Sequence, residues 1–389
     1  MIRVGFVSAY NGEGWMGGTN YLSNLLHAIR SVEGRRIEPV LMVPPGTPDT
    51  ALAGFPDIEV IRTGLVEPSS RIGAAGKIAR RVLGRNVVME RLLRSKGISL
   101  LSHSIGLGRN SAIPSICWVP DFQHRRLPEF FTAEEIRERD AVYKRLACNA
   151  SRIVLSSFDA RRDLESFAPG AIERSRVLHF VSGFGGADEA ISLAELRARY
   201  KFEGGYFHVP NQFWVHKNHR IVIDALALLR ARGRPALVLA TGHPNDHRNP
   251  GHFKSITDHA RSRAVQDSFR VLGLVPYEHL HALIRHSMAV INPSFFEGWS
   301  TTVEEAKSLG KQVLLSDIPV HREQAPARAI YFPPASANDL ADAMERVMAE
   351  FAAADEERHR DEAASALTSR FQAFGRQYEA IALETMHRP

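Results

Sequence analysis

The sequence predicts an α/β protein built from two Rossmann-like domains that face each other across a cleft. Strand-like apolar runs alternate with helical stretches along most of the chain, a pattern typical of a parallel sheet covered by helices on both faces. This alternation starts again near residue 205, after a glycine-containing polar stretch. The length of 389 residues agrees with two or three domains.

The first predicted domain covers residues 1–190. It opens with a buried strand at 2–8, a glycine-containing loop at 11–18 and an amphipathic helix at 21–30. Further strands are predicted at 38–43, 59–62, 99–103, 115–119 and 152–156.

The second predicted domain covers residues 191–371, and the boundary is expected within the loop and charged helix at 185–204. Its strands are predicted at 206–210, 236–241, 269–272, 289–293 and 312–316, with helices at 218–230 and 301–309. Residues after about 337 are expected to be helical, and the last helix, about 372–389, is expected to pack back on the first domain.

Composition and charge indicate a globular protein with an anionic substrate or partner. Hydrophobic residues make up 44% and charged residues 24%, which is an ordinary globular balance. The net charge of +6 suits anionic substrates, nucleic acid or an acidic membrane, and nucleic acid is disfavoured because no recognised binding motif accompanies it. Cys117 and Cys148 have no metal-ligand or redox spacing, and no signal peptide or membrane-spanning run is apparent. We therefore expect a cytoplasmic protein.

The most informative segment follows the predicted strand at 289–293. A loop carries Glu297 and Gly298, a helix begins near Ser300, and Glu305 lies about one turn inside that helix. A helix start offers free N–H groups and a positive dipole end, which favour a phosphate. Two carboxylates beside it suit the hydroxyl groups of a nucleotide sugar. The alternative is that Glu304 and Glu305 are ordinary first-turn charges.

The run EGWSTTVEEAKSLGKQVLLSD, residues 297–317, resembles the signature of glycosyltransferase family 4, whose members share the GT-B fold and retain the anomeric configuration. The resemblance implies that Glu297 faces the donor sugar and that Glu305 binds the ribose hydroxyls. It also implies that backbone N–H groups of Ser300, Thr301 and Thr302 bind the diphosphate. Family members often have glycine, an aliphatic residue and proline there, so this chain departs in its side chains.

The loop at 209–219 resembles a second part of the family pattern, in which two basic residues clamp the donor phosphates. Lys217 fits the lysine position, where a phosphate needs a point charge. Gln212 stands where the family usually has arginine, which weakens the predicted clamp. The alternative for Lys217 is a solvated surface lysine.

Three further segments match donor-binding positions of the family. Gly17 and Gly18 are expected in the loop before the first helix, where glycine permits close approach to the donor phosphate. Gly242 follows a predicted strand and is expected near the nucleotide. Leu274 and Val275 match the loop whose backbone cradles the nucleobase.

The segment at 117–131 follows a predicted strand, so its first polar residues are expected at the carboxyl end of that strand. Family members often have a His-Asp pair here, with the histidine near the reacting carbon. Asp121 and His124 are the candidates in this chain, as catalytic residues facing the cleft. The alternative is a surface turn that precedes the core residues Phe130 and Phe131.

No cofactor or bound metal is expected. The chain lacks the Asp-x-Asp motif of metal-dependent GT-A enzymes, and GT-B enzymes typically neutralise the leaving diphosphate with lysine and helix dipoles. The histidine-rich stretch 243–252 lacks helical pairing or cysteine and is interpreted as a solvated loop.

Residues 71–96 carry eight cationic side chains and one acid, Glu90. Apolar residues interleave with the charges at helical spacing. Two interpretations stay open: the segment lies on an anionic membrane, where lipid-linked acceptors reside, or it is a solvated helix packed on the first domain.

Together these features predict a retaining hexosyltransferase that uses a nucleotide diphosphate sugar and a glycan or lipid-linked acceptor, in the synthesis of surface polysaccharide or lipopolysaccharide. The alternatives are a GT-B nucleotide-sugar epimerase and a non-catalytic nucleotide-sugar-binding subunit. Nucleobase, sugar and acceptor are not determined by the sequence.

Overall fold

The structure, a computed structural model, describes residues 1–8, 16–67, 69–104, 107–183, 191–246 and 248–387. The chain divides into two compact units. The first consists of Met1–Ser182 with Thr368–Pro389, and the second is Gly183–Leu367. The boundary predicted at 190–191 adjoins residues 184–190, which lie outside the described part of the chain.

The first unit contains a parallel seven-stranded sheet with strand order β3-β2-β1-β4-β5-β6-β7 in its described residues. The strands are β1 (Ile2–Val7), β2 (Ile37–Val43), β3 (Glu59–Arg62), β4 (Ile98–Ser102), β5 (Ser115–Val119), β6 (Arg152–Leu155) and β7 (Ser175–Val177). The helices are α1 (Met16–Arg30), α2 (Arg71–Leu83), α3 (Val87–Ser95), α4 (Gln123–Arg126), α5 (Ala133–Asn149) and α6 (Phe158–Phe167). The order reverses between β1 and β4, so this is a doubly wound Rossmann-like sheet.

The strands of this unit form where apolar residues run together. Val4 and Phe6 of β1 are buried, as are Leu100 and Leu101 of β4, because helices cover both faces of a parallel sheet. Six of its strands agree with the sequence prediction within one or two residues. The short strand β7 was missed, since three residues carry too little periodicity to identify.

The second unit repeats the design with a parallel six-stranded sheet of order β10-β9-β8-β11-β12-β13 in its described residues. Its strands are β8 (Phe207–Pro210), β9 (Val238–Thr241), β10 (Phe269–Gly273), β11 (Ala289–Asn292), β12 (Val313–Ser316) and β13 (Ala329–Phe332). Its helices are α7 (Leu193–Tyr200), α8 (His219–Ala231), α9 (His252–Ser262), α10 (Tyr277–His286), α11 (Thr301–Ser308), α12 (Pro319–Gln324) and α13 (Ala337–Glu350). Helix α14 (Ala353–Met386) follows. Strand β13 was missed by the prediction.

The strand order of the second unit reverses between β8 and β11. In open α/β sheets, ligands bind at the carboxyl ends of the strands beside such a reversal, because the flanking connections leave on opposite faces and open a crevice. The core beneath is formed by β8, β11, α8 and α13, and Phe207, Ile291, Leu226 and Met344 are fully or almost fully buried there.

The last part of α14 packs within the first unit. Tyr378 donates a hydrogen bond from Oη to Oγ of Ser102, at 2.7 Å, at the end of β4. Glu379 accepts hydrogen bonds from the main-chain N–H groups of Arg36, at 2.6 Å, and Ile37, at 3.3 Å. Backbone N–H groups in the interior need an acceptor, and the carboxylate of Glu379 supplies one for these two groups at the start of β2.

Replacing Glu379 with alanine leaves these two main-chain N–H groups without their acceptor. We expect Glu379→Ala to lower the free energy of unfolding of the first unit by about 2–4 kcal/mol. Urea denaturation measures the change, and Glu357→Ala, which removes an exposed carboxylate of the same helix, is the matched control. Equal effects of the two substitutions would contradict this account of the anchor.

Candidate functional site

The candidate site begins at two asparagines beside the strand reversal of the second unit. Asn211 directly follows β8, and Asn292 is the last residue of β11. The side-chain amide of Asn211 donates from Nδ2 to Oδ1 of Asn292, at 3.2 Å, and both residues are buried. The hydrogen bond holds the carboxyl ends of the two strands at a set spacing.

Asn292 connects this strand end to the loop that follows. Its Nδ2 donates to Oγ of Ser300, at 2.8 Å, and lies 3.4 Å from Oε1 of Glu297. Ser294 Oγ is 2.7 Å from both Oδ1 of Asn292 and Oε1 of Glu297, so its single proton serves one of them at a time. The loop is therefore held from inside by buried amide and hydroxyl groups.

Glu297 forms an ion pair with Lys217, whose Nζ lies 2.7 Å from Oε1. The side chains of Glu297 and Lys217 are 8% and 13% exposed, so water screens this pair only weakly. The hydrogen bonds of the carboxylate converge on Oε1, and within the described part of the chain Oε2 accepts no hydrogen bond. One oxygen of Glu297 is thus held in place by several hydrogen bonds. Lys217 is not the solvated surface lysine of the alternative interpretation.

The charge state of Glu297 follows from its neighbours. Burial acts to raise the pKa of this carboxyl group, but the charges of Lys217 and His321 and the hydrogen bonds from Lys217 and Ser294 lower it overall. His321 is fully buried, and its Nδ1 donates to the main-chain oxygen of Ser316 at 2.8 Å. Glu297 is therefore an anion at neutral pH, held against a cation.

Helix α11 begins where the sequence predicted. Ser300 is its N-cap, and its Oγ accepts a hydrogen bond from the N–H of Val303 at 3.3 Å. Gln324 binds the same residue twice, accepting from the N–H of Ser300 at 3.2 Å and donating to its main-chain oxygen at 3.0 Å. Thr302 donates from Oγ1 to the main-chain oxygen of Pro210 at 3.2 Å, which fastens the first turn to the end of β8.

Glu305 is only 5% exposed, and no described residue donates a hydrogen bond to its carboxyl group. Burial raises its pKa to about 8, so the group is mostly neutral at pH 7 in the ligand-free protein. Glu304 is also buried and pairs with Lys307 at 3.0 Å. The alternative of an ordinary first-turn charge is therefore wrong for Glu305, whereas Glu304 does lie in the first turn of α11 with its ion pair to Lys307.

Gln212 and Gly242 fasten the two neighbouring loops together. Oε1 of Gln212 accepts a hydrogen bond from the N–H of His243 at 2.7 Å. Gly242 has a φ of +141°, and a Cβ there would lie 2.3 Å from the oxygen of Asn211, so only glycine fits. Gln212 thus holds the loop after β9.

The remaining donor-binding candidates of this unit lie around the same strand ends. Gly298 is partly buried between Glu297 and the start of α11, and Thr301 is the first residue of that helix. Leu274 directly follows β10 and is exposed, while Val275 is partly buried. The structure therefore places Gly298, Leu274 and Val275 on loops at the carboxyl ends of the sheet, and Thr301 at a helix start beside them.

The prediction that His124 faces the cleft is wrong. Its side chain is 0% exposed, and its ring packs beside those of Phe122, Phe131 and Tyr143. Nε2 lies 3.1 Å from Oδ1 of Asp140, and burial is the main reason that the pKa of this histidine is lowered. The ring of His124 is therefore part of an aromatic cluster in the core of the first unit.

Asp121, Gly17 and Gly18 belong to the first unit. Asp121 is partly buried, and its Oδ1 accepts a hydrogen bond from the N–H of Gln123 at 2.9 Å, which starts α4. The two glycines were predicted in a loop, but α1 begins at Met16, so they lie in its first turn. Residues 11–15 of that predicted loop lie outside the described residues.

The histidine-rich stretch 243–252 was interpreted as solvated, and that interpretation is wrong for its centre. Asp246 is buried and pairs with Arg248 at 3.2 Å, and the guanidinium of Arg248 lies 5.3 Å from the ring centroid of Trp214. Across the residues that the structure describes, no group of three or more His, Cys, Asp or Glu side chains is arranged for a metal ion.

Sequence reasoning missed the buried polar residues that position the Glu297 loop and the start of α11. Asn211, Asn292, Ser294 and Gln324 make the contacts that hold the loop and the helix start. Two of them had a local signal, because Asn292 and Ser294 stand at a strand end beside a proline, where polar residues interrupt an apolar run. Gln324 had none, since it reaches Ser300 from another helix.

The raised pKa of Glu305 has a consequence for stability. Between about pH 4.5, the ordinary value, and about pH 8, the folded protein holds a proton that the unfolded chain releases, so stability falls as pH rises. We expect Glu305→Gln to be more stable than the natural protein, by a margin that grows by roughly 3–5 kcal/mol from pH 5 to pH 9. Urea unfolding at several pH values tests this, with exposed Glu350→Gln as control. A margin that is constant with pH would contradict the assignment.

Residues 205–365 match the family described as "Glycosyl transferases group 1", and this range lies within the second unit. No significant sequence match was found among curated proteins.

Solved structures resemble the whole chain. A glycosyltransferase from Rickettsia africae has a TM-score of 0.69 at 14% identity, covering 100% of this chain and 99% of its own. HepE from Anabaena, solved with UDP and glucose, has a TM-score of 0.64 at 15% identity, covering 99% and 98%. WaaG, a glycosyltransferase involved in lipopolysaccharide biosynthesis, has a TM-score of 0.61 at 12% identity, covering 97% and 99%.

At these identities the structural likeness establishes the fold, and the family match adds the class of domain. The predicted pair of Rossmann-like domains is confirmed. The chain has the GT-B fold of its glycosyltransferase neighbours, and residues 205–365 match the glycosyl transferases group 1 model, which supports a role in glycosyl transfer.

Proposed function

We propose that this protein is a retaining glycosyltransferase that moves a hexose from a nucleotide diphosphate sugar to a glycan or lipid-linked saccharide. One observation carries the proposal: Glu297 is held through Oε1 by Lys217 and Ser294, while its Oε2 accepts no hydrogen bond from the described residues. Such a half-occupied carboxylate, beside a helix start and a second buried carboxyl, suits a ligand with both hydroxyl and phosphate groups.

The phosphates of the donor fit the first turn of α11. The N–H of Ser300, predicted to bind the diphosphate, already donates to Oε1 of Gln324, which leaves those of Thr301 and Thr302. The N–H groups of a first helical turn have no acceptor within the helix, and the positive dipole end favours an anion. Ser300 and Thr302 hold the turn from their side chains, so the backbone is set in place before a ligand arrives. Lys217 supplies the cationic charge that stabilises the departing diphosphate.

The ribose of the donor fits Glu305. The ionised carboxylate accepts hydrogen bonds from two hydroxyl groups, and such bonds lower the pKa of the group that accepts them. Because the pKa of Glu305 is about 8 without ligand, binding of a ribose favours release of its proton. Nucleotide binding by this site is therefore coupled to pH.

Retention rests on the resemblance to family 4 and on no contact in the structure. In a same-face reaction, the bond from the anomeric carbon to the phosphate oxygen breaks while the bond to the acceptor oxygen forms. The acceptor proton passes to the departing phosphate. Glu297, as an anion, positions the sugar through Oε2, and Asp121 is the proposed acceptor-side residue of the first unit. His124 is not included, because it is buried.

The neighbours' own ligands and roles support the wider proposal. HepE was solved with UDP-glucose, and WaaG is involved in lipopolysaccharide biosynthesis. A nucleotide diphosphate sugar is therefore the proposed donor, and synthesis of lipopolysaccharide or surface polysaccharide in the cytoplasm is the proposed setting. Neither a cofactor nor a metal is part of the proposal.

The charged pair gives the sharpest test of the catalytic role. We expect Glu297→Ala to reduce kcat for transfer by roughly 10²–10³-fold while nucleotide affinity changes little, because the lost contact is to the sugar. Lys217→Met should weaken both, since it also leaves Glu297 buried without its cation. Transfer of labelled sugar and nucleotide binding are measured on the same samples.

Lys254→Met is the matched control, since it removes an exposed lysine of α9. The double variant Lys217→Met/Glu297→Gln removes both charges and separates lost catalysis from the burial of an unpaired charge. Full activity of Glu297→Ala would overturn the catalytic assignment. An epimerised nucleotide sugar formed without acceptor would favour the epimerase.

A second test identifies the donor. We expect one nucleotide class among UDP-, GDP-, ADP- and dTDP-sugars to raise the melting temperature, since a ligand at about 100 times its Kd stabilises by about 2.7 kcal/mol. The shift should be larger at pH 8 than at pH 6 and should lose this pH dependence in Glu305→Gln. Stabilisation by none of the four would contradict the proposed donor site.

A further inference from the structure

Helix α2 of the first unit has its apolar side chains on the outside. Ile78 is 65% exposed and Val82 is 74% exposed, and the two lie one helical turn apart. Among the described residues, five of the twelve exposed large hydrophobic side chains lie between residues 72 and 87. An exposed apolar cluster of this kind marks an interaction surface.

The inner face of α2 is made of glycine. A Cβ at Gly73 would lie 2.2 Å from the main-chain oxygen of Glu67, and one at Gly76 would lie 2.8 Å from Nδ2 of Asn86. The helix therefore packs on the unit through its backbone, and its apolar side chains do not contribute to the core. The interpretation of 71–96 as a solvated helix packed on the first domain agrees with these contacts, and the exposed apolar face of α2 is additional to them.

The surroundings of this cluster are cationic. Of the eight cations between residues 71 and 96, Arg71, Lys77 and Arg81 are exposed on α2 itself. The single acid, Glu90, is buried and forms an ion pair with Arg85. The surface thus combines exposed apolar side chains with a positive field.

We propose that α2 docks this protein on an anionic lipid bilayer, with Ile78 and Val82 inserted among the acyl chains and Lys77 and Arg81 at the phosphates. Basic residues beside a short apolar stripe are the features of an interfacial helix. No helix in the described part of the chain is long and apolar enough to cross a membrane, so this contact lies in the plane of the surface.

Other partners match these observations less well. A two-fold contact centred on this cluster would bring the cationic surface of one copy against the same cationic surface of the other. A nucleic acid would satisfy the cations but leaves the apolar stripe without a partner, since phosphate contacts are electrostatic. A bilayer with anionic headgroups offers acyl chains to the apolar side chains and phosphates to the cations. The inference does not depend on the proposed enzymatic activity, although it would bring the first unit to where lipid-linked saccharides reside.

Vesicle co-sedimentation of the full-length protein tests the proposal. We expect binding to phosphatidylcholine vesicles that contain about 30 mol% phosphatidylglycerol, and little binding to phosphatidylcholine alone. The double variant Ile78→Glu/Val82→Glu should lower the partition coefficient about tenfold or more, as should Lys77→Glu/Arg81→Glu. Lys254→Glu/Arg261→Glu, which reverses two exposed cations of α9 and changes the net charge as much as the Lys77/Arg81 variant does, should bind like the natural protein.

Transfer to a water-soluble acceptor separates this proposal from the proposed function. We expect the α2 variants to keep this activity, because α2 holds no candidate site residue. Equal loss of vesicle binding in the α9 control would show that net charge alone acts, and would overturn the role of α2. A change of oligomeric state in Ile78→Glu/Val82→Glu, or tight binding to polynucleotide in place of vesicles, would overturn it as well.

Discussion

The side-chain amide of Asn292 is the contact on which the candidate site depends. It stands where the strand order of the second unit reverses, and it joins Asn211, Ser300 and Glu297 through its two polar atoms. A buried amide is costly unless all its partners are present, so this network favours one arrangement of the loop. The position of the carboxylate and of the helix start is therefore set by the sheet beneath them.

The same network gives the two carboxylate oxygens of Glu297 different hydrogen-bond partners. Lys217 and Ser294 take one oxygen, and the other accepts no hydrogen bond from the described residues. An ion pair in such a dry place holds its geometry but contributes little net stability, because desolvation offsets much of the attraction. The Lys217–Glu297 pair instead fixes the positions of the two charges in advance. Charges that are already in position do not have to be reoriented during a reaction. Glu305 stands in contrast, with burial and no cation.

Burial also explains why two histidine-containing segments differed from their predictions. His124 follows a strand and was expected among the polar residues at its end, but three aromatic neighbours surround it. Asp246 lies in a stretch rich in polar residues, yet Arg248 pairs with it beside Trp214. Local sequence shows which groups are polar, and the partners that draw them inward come from other parts of the chain.

Most of the strands, the fold class and the start of α11 were determined by the sequence, because periodicity and helix caps are local properties. Glu297, Lys217 and Glu305 could be selected as candidates through the resemblance to family 4. Only the tertiary structure decided that Lys217 pairs with Glu297, that Gln324 supports Ser300, and that the apolar side of α2 faces outward. The physical reason is that an amphipathic pattern shows that two faces differ, while packing, here through Gly73 and Gly76, decides which of them is buried.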